Sequence, residues 1–147
     1  MEITEYQQKH AEAVIELWFK CRLVVPSNNP RRDIERKLGV DRDLFLVGSL
    51  NGKVIASVMG GYEGHRGWIN YLAVDPANRR NGYGRLIMKE VERRLRAKGC
   101  PKINLQVRAT NDGVIRFYQS LGYSDDNVIG LGKGLQKMNS KAERTMV

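Results

Sequence analysis

The stretch that decides the fold runs from residue 68 to residue 98: Trp68-Ile69-Asn70-Tyr71-Leu72-Ala73-Val74-Asp75-Pro76-Ala77-Asn78-Arg79-Arg80-Asn81-Gly82-Tyr83-Gly84-Arg85, then Leu86 through Lys98. Trp68–Val74 is apolar and strand-like, and Asp75-Pro76-Ala77-Asn78 reads as a turn. Arg79 to Gly84 is a basic, glycine-containing loop. Ile87, Met88, Val91 and Leu95 then recur at helical spacing up to a stop at Gly99. A strand, such a loop and a helix together aim free backbone N–H groups and the positive end of a helix at one point, which suits a pyrophosphate. Gly82 and Gly84 have no Cβ, so an anion can come close to the main chain. A P-loop would need Gly-Lys-Ser/Thr, but Gly84 is followed by Arg85-Leu86. A dinucleotide fingerprint would need a third glycine where Ile87 stands.

Upstream, Val14, Leu17, Trp18 and Cys21 mark an amphipathic helix over residues 8–22. A second helix is capped by Asn29, takes Pro30 in its first turn and closes at Gly39. Leu44–Leu50 and Lys53–Tyr62 are β-branched runs joined by Asn51-Gly52, a strong hairpin signal, and Gly60, Gly61 and Gly64 break the pattern that follows. Downstream, Ile103–Val107 reads as a strand. Thr110 or Asn111 caps a helix with Val114, Phe117, Tyr118 and Leu121 on one face, and Gly122 ends it. Tyr123 to about Leu135 supplies the last strand or strands. The order α-α-β-β-β-α-β-α-β implies a three-layer α/β/α arrangement around a mixed sheet. Residues 1–137 form one domain, and 138–147 a polar, flexible tail.

The 147 residues suit one core, and 41% hydrophobic with 28% charged content excludes a wholly disordered chain. The acidic start Met1-Glu2-Ile3-Thr4-Glu5 is unlike a signal peptide, and no apolar run approaches the ~18 residues of a membrane span, so a cytoplasmic protein without membrane partners is expected. Cys21 and Cys100 make no disulfide framework; with His10 and His65 the only histidines, no metal is expected. The net charge is +9, and between Arg79 and Arg108 ten basic residues face only Glu90 and Glu92. Such a field favours an anionic partner. A nucleic acid is not expected: zinc spacing, a basic heptad region and an aromatic strand signature are all missing from the sequence.

Arg79-x-x-Gly82-x-Gly84 after Leu72-Ala73-Val74-Asp75-Pro76, followed by Leu105-Gln106-Val107-Arg108-Ala109-Thr110-Asn111 and Ile115-Arg116-Phe117-Tyr118-Gln119-Ser120-Leu121-Gly122-Tyr123, resembles the GCN5-related N-acetyltransferases (GNAT). The resemblance spans residues 1–135. Within the family, the opening helix and the segment Gly60–Gly67 look like the bacterial YpeA-type enzymes, close to the RimI-like branch. It implies the GNAT fold, a mostly antiparallel sheet splayed between its fourth- and fifth-type strands. It also implies acetyl transfer from acetyl-CoA directly to a primary amine: a protein N-terminus, a lysine or a small amine.

What the resemblance implies for residues is specific. The pyrophosphate of acetyl-CoA falls to Arg79, Arg80, Asn81, Gly82, Tyr83, Gly84 and Arg85. The pantetheine arm pairs with main chain at Leu72, Ala73 and Val74, where a backbone N–H polarises the thioester carbonyl. Asn111 meets the cosubstrate, and Tyr118 returns a proton to the departing thiolate. The ammonium of the acceptor must lose a proton before attack. RimI-like relatives use a Glu where this chain has Gln106, which leaves Glu63 or His65, directly or through water, for that work. Tyr62, Glu63, His65, Arg66 and Tyr71, with the loop Val24–Asn29, are the acceptor-pocket candidates. Gln106 also keeps a non-catalytic acyl-CoA sensor on the same fold as an alternative. Exposed sheet edges leave room for a homodimer.

Overall fold

The computed structural model describes residues 1–136. These fall into two compact units, Met1–Asn104 and the segment that begins at Leu105. The elements in chain order are β1 (Glu2–Glu5), α1 (Ala11–Lys20), α2 (Pro30–Lys37), β2 (Phe45–Leu50), β3 (Lys53–Tyr62), β4 (Gly67–Val74), α3 (Tyr83–Ala97), β5 (Ile103–Leu105) and α4 (Asp112–Ser120). The expected tail at 138–147 lies outside the described residues.

The sheet order is β1-β2-β3-β4-β5, and the first three pairings are antiparallel. Asn51 and Gly52 turn β2 into β3 with φ of 50° and 80°, the two positive values that a type I′ hairpin turn demands. β5 returns through α3. The Gly67 N–H donates to the Lys102 carbonyl at 2.8 Å, joining the start of β4 to the start of β5. Start meeting start marks a parallel neighbour after a helical crossover, so the sheet is mixed. β5 has three residues against eight in β4, so Tyr71–Val74 run past the end of the β5 ladder.

One face of the sheet is covered by α1 and α2. Trp18, Val14 and Leu17 of α1 are buried with Phe45, Val47, Met59 and Ala73. The other face takes α3, whose Ile87, Met88, Val91 and Leu95 are fully buried, as the sequence spacing predicts. Gly60 makes that contact close: a Cβ there would stand 2.7 Å from Val91. Gly60 and Gly61 therefore continue β3 rather than break it. Asn29 caps α2 as expected, its side chain accepting from the Arg32 N–H at 3.2 Å.

Three expectations change. The chain opens with β1, so the order begins with a strand; the first helix starts at Ala11 after a 3-10 turn and ends at Lys20. The strand expected over Ile103–Val107 stops at Leu105. Tyr123–Leu135 forms no strand, and Val128, Ile129, Leu131 and Leu135 are exposed. Gly130, Gly132 and Gly134 fall at every second position, so a strand there would have one face without side chains, and glycine in a strand interior weakens it. On α4 only Tyr118 is buried; Val114 is exposed.

Candidate active site

The connection from β4 to α3 has the strand, turn and helix order that the sequence pattern predicts. Asp75 follows β4 and caps the Pro76–Asn78 turn, its carboxylate accepting from the Ala77 N–H at 3.0 Å. The Asn81 side-chain amide braces the loop from within, donating to the carbonyls of Asn78 at 3.0 Å and Arg79 at 3.2 Å. Arg80 adopts φ +66° and Gly82, at the N-cap of α3, φ +80°. No side chain caps α3 and no acidic residue sits in its first turn. A Cβ on Gly82 would meet nothing within 4 Å. The fifteen-residue helix thus presents its first N–H groups, the positive end of its dipole and the exposed Arg80 and Arg85 to open space. These groups fit a diphosphate.

β4 carries the second feature. Asn70 pairs with Met59 and Ala73 with Ser57, so Tyr71 and Leu72 together face Val58. This is a β-bulge, and Tyr71 takes φ +51° within it. The side chain of Tyr71 stacks on Trp18, with ring centroids 3.8 Å apart. Its hydroxyl donates to Asp33 at 2.6 Å and accepts from the Asn28 amide at 2.9 Å. Burial, then Asp33, pushes its pKa well above the ordinary phenol value. Tyr71, expected only as pocket lining, therefore joins the bulge to the Val24–Asn29 loop and α2. Past the bulge, the Val74 carbonyl accepts from Cys21 Sγ at 3.3 Å and Arg79 Nε at 3.2 Å. Cys21 is half-buried, and burial raises its thiol pKa.

Glu63 and His65 lie in the β3–β4 connection, both exposed. The Glu63 carboxylate accepts from the backbone N–H groups of His65, at 3.0 Å, and Arg66, closing its own turn. Gly67 and Tyr71 are four residues apart on β4, so this turn stands about 13 Å along the strand from the bulge. The geometry does not bring Glu63 or His65 to Tyr71 and Leu72.

In the second unit, Asn111 caps α4 by accepting from the Val114 N–H at 3.3 Å. Tyr118 is buried, its ring edge-on to Phe117 and Tyr123 at 5.2 and 5.6 Å, and burial pushes its pKa up to about 12. Gln106 is exposed.

The sequence reading missed the bulge and the residues beneath it, Ser57 and Trp18. One sign was present: Ser57 is the single hydroxyl in the apolar run Val54–Met59, and it is fully buried. A buried hydroxyl needs a partner.

Residues 11–123 match the model of the Acetyltransferase (GNAT) family. The chain belongs to the GNAT acetyltransferase family. An acetyltransferase of Pectobacterium atrosepticum is 50% identical over 135 residues, covering 92% of this chain and 96% of the relative. Among solved structures, Naa20 of Chaetomium thermophilum, in complex with a bisubstrate analogue, superposes with a TM-score of 0.69 at 25% identity, over 84% of this chain and 71% of that one. AAC(6′)-Iy in complex with the bisubstrate analogue CoA-S-monomethyl-acetylneamine gives a TM-score of 0.75 at 17% identity, over 90% and 97%. This acetyltransferase has the fold the resemblance implies, and acetyl-CoA is the acyl donor of its family. Among its described residues no helix is long and apolar enough to cross a membrane.

Proposed function

We propose that this acetyltransferase moves an acetyl group from acetyl-CoA directly to a primary amine, on a protein N-terminus, a lysine or a small molecule, in the cytoplasm. The observation that carries the reading is the uncapped start of α3 behind Gly82, in open space and next in sequence to a bulged β4. The complexes of Naa20 and AAC(6′)-Iy with bisubstrate analogues support it by analogy of fold. The opening helix and the Gly60–Gly67 segment favour the YpeA-type, RimI-like branch.

The donor supplies an activated acyl group and a thiolate leaving group. The amides from Arg80 to Arg85 hold the diphosphate, with Arg79, Arg80 and Arg85 adding charge. Main chain at Leu72, Ala73 and Val74 lines up the pantetheine arm. A backbone N–H at the bulge polarises the thioester carbonyl as negative charge grows on its oxygen. Asn111 adds a contact to the donor, and Tyr118 gives its phenolic proton to the leaving thiolate. With its pKa pushed up to about 12 by burial, that phenol stays protonated at neutral pH, the form in which it can donate to the sulfur as the C–S bond breaks. The proton of the acceptor leaves to Glu63 or His65 through a relay of several waters, given their distance along β4.

The test is incubation with acetyl-CoA and a panel of amines: an N-terminal peptide, a lysine peptide, spermidine and kanamycin, with release of free thiol as the readout. Turnover with one acceptor class is expected. A second reading, an acyl-CoA sensor, is favoured by Gln106 and by the Glu63 carboxylate being engaged in its own turn. Tight binding of acetyl-CoA with no thiol release on any amine would select it.

A further inference from the structure

A short chain of hydrogen bonds runs from α1 through β3 to the bulge of β4. Trp18 Nε1 donates to Ser57 Oγ at 2.8 Å, and Ser57 Oγ donates to the Tyr71 carbonyl at 2.9 Å. Both Trp18 and Ser57 have no exposed surface. The direction of the chain is fixed by chemistry: an indole N–H can only donate, so the Ser57 hydroxyl accepts from it and turns its own proton to the carbonyl. The chain ends on Tyr71, a non-glycine residue held at φ +51°, a conformation that surrounding structure must impose. The indole that starts the chain also stacks on the Tyr71 ring, with planes 12° apart.

The consequence lies in the next amide. The peptide unit joining Tyr71 to Leu72 is planar and trans, as all are among the described residues. Its C=O and N–H therefore point in opposite directions. A carbonyl drawn toward Ser57 on β3 sends the Leu72 N–H away from β3, free of the antiparallel ladder. We propose that Trp18 and Ser57 are positioning residues for acyl transfer: by holding the Tyr71 carbonyl they aim the Leu72 N–H at the oxygen of the thioester. This rests on the acyl-transfer reading above and adds to it the residues that set the donor's direction. Neither residue touches the reacting atoms. Their effect is on the angle of one amide, and a misaimed donor loses its advantage where charge develops, while the ground-state grip on CoA, carried mainly by the loop before α3, is kept.

The test compares wild type with Ser57→Ala, Ser57→Thr and Trp18→Phe. Calorimetry with CoA gives affinity and the number of intact sites; free-thiol release gives kcat, with the panel amine that wild type uses fastest. Ser57→Ala is expected to lower kcat roughly tenfold to a hundredfold, with the CoA Kd within about twofold of wild type. Ser57→Thr, which keeps the hydroxyl, restores most of the rate. Trp18→Phe keeps a stacked ring but removes the first donor, and lowers kcat in the same direction. A merely structural role would reduce the number of CoA sites and leave kcat per intact site unchanged; that result overturns the proposal. Should Ser57→Ala not fold, Trp18→Phe decides by the same criterion. If wild type takes up no CoA at all, the acyl-transfer reading falls and the proposal with it. An active wild type matched by an equally active Ser57→Ala overturns the proposal alone.

Discussion

Arg79 reaches back to the strand before it: its Nε donates to the Val74 carbonyl oxygen at 3.2 Å. The guanidinium thereby ties the root of the anion loop to the end of β4, and has donors left over for a phosphate. The brace is seen directly, and in the proposed donor site Arg79 would add charge as well. Arg79→Lys keeps the charge and loses the fork, so it is expected to weaken CoA binding about tenfold, nearly as much as Arg79→Ala. Isothermal titration with CoA checks this; full affinity in Arg79→Lys would reduce Arg79 to a point charge.

Gly82 is a different case, because space is not its constraint. A Cβ there would meet nothing within 4 Å, but the residue sits at φ +80°. Left-handed backbone costs an L-residue about 1–2 kcal/mol. Gly82→Val is therefore expected to strain the start of α3 in the free protein and to shield the amides behind it. Thermal melting should fall by a few degrees and CoA affinity by at least about tenfold. An unchanged Kd would remove the α3 N-terminus from the site.

Tyr118→Phe should lower kcat far more than CoA affinity. With the phenol pushed up to about 12 by burial, Tyr118 stays protonated through the working range. An alkaline fall in the wild-type rate between pH 8 and 10 would then belong to another group, and the Tyr118→Phe profile should keep the same shape at lower amplitude. Stopped-time thiol assays across pH read both. A wild-type rate in Tyr118→Phe would end its role.

Asp75 links β4 to the anion loop and is almost fully buried. The Ala77 N–H, and then Lys20 at 3.5 Å, hold its carboxyl below the ordinary aspartate value, against an opposing effect of burial. A depressed folded-state pKa stabilises the fold above the unfolded value, near 3.9, and that stability is lost as pH falls through the folded value. Asp75→Asn is expected to cost about 1 kcal/mol at pH 7, roughly 2–4 °C in Tm at this chain length. The gap should narrow as melts are taken below the unfolded value and close only once pH lies below the depressed folded value, where the aspartate is itself protonated.

How legible all this was depends on the range of the interactions involved. The α3 stripe, the Asn29 cap and the Asn51-Gly52 turn depend on neighbours a few residues away, and each was readable from local pattern. β1 was not: four residues, Glu2–Glu5, gain strand geometry only by pairing with β2, some forty residues on. The bulge was hidden for the same reason, since it arises from the register between Ser57–Met59 and Asn70–Ala73. Tyr123–Leu135 carries the apolar residues of a strand, but the alternating glycines at 130, 132 and 134 weaken one, and no strand forms there. The local engagement of Glu63 was not legible from its residue type: next to Gly64, its carboxylate accepts from the backbone N–H groups of His65 and Arg66.

In the stretch from β2 to β4 the spatial order of strands repeats their order along the chain, with short connections at Asn51-Gly52 and at Glu63–Arg66. Each ladder there closes over few residues, so little chain entropy is lost before the pairing gains it back. This three-stranded meander is therefore expected to form first, with β1 and β5 added afterwards as the long closures, which φ-value analysis of the folding and unfolding rates checks. Substitutions in the Asn51-Gly52 turn should then slow folding, while those in β1 should mainly hasten unfolding.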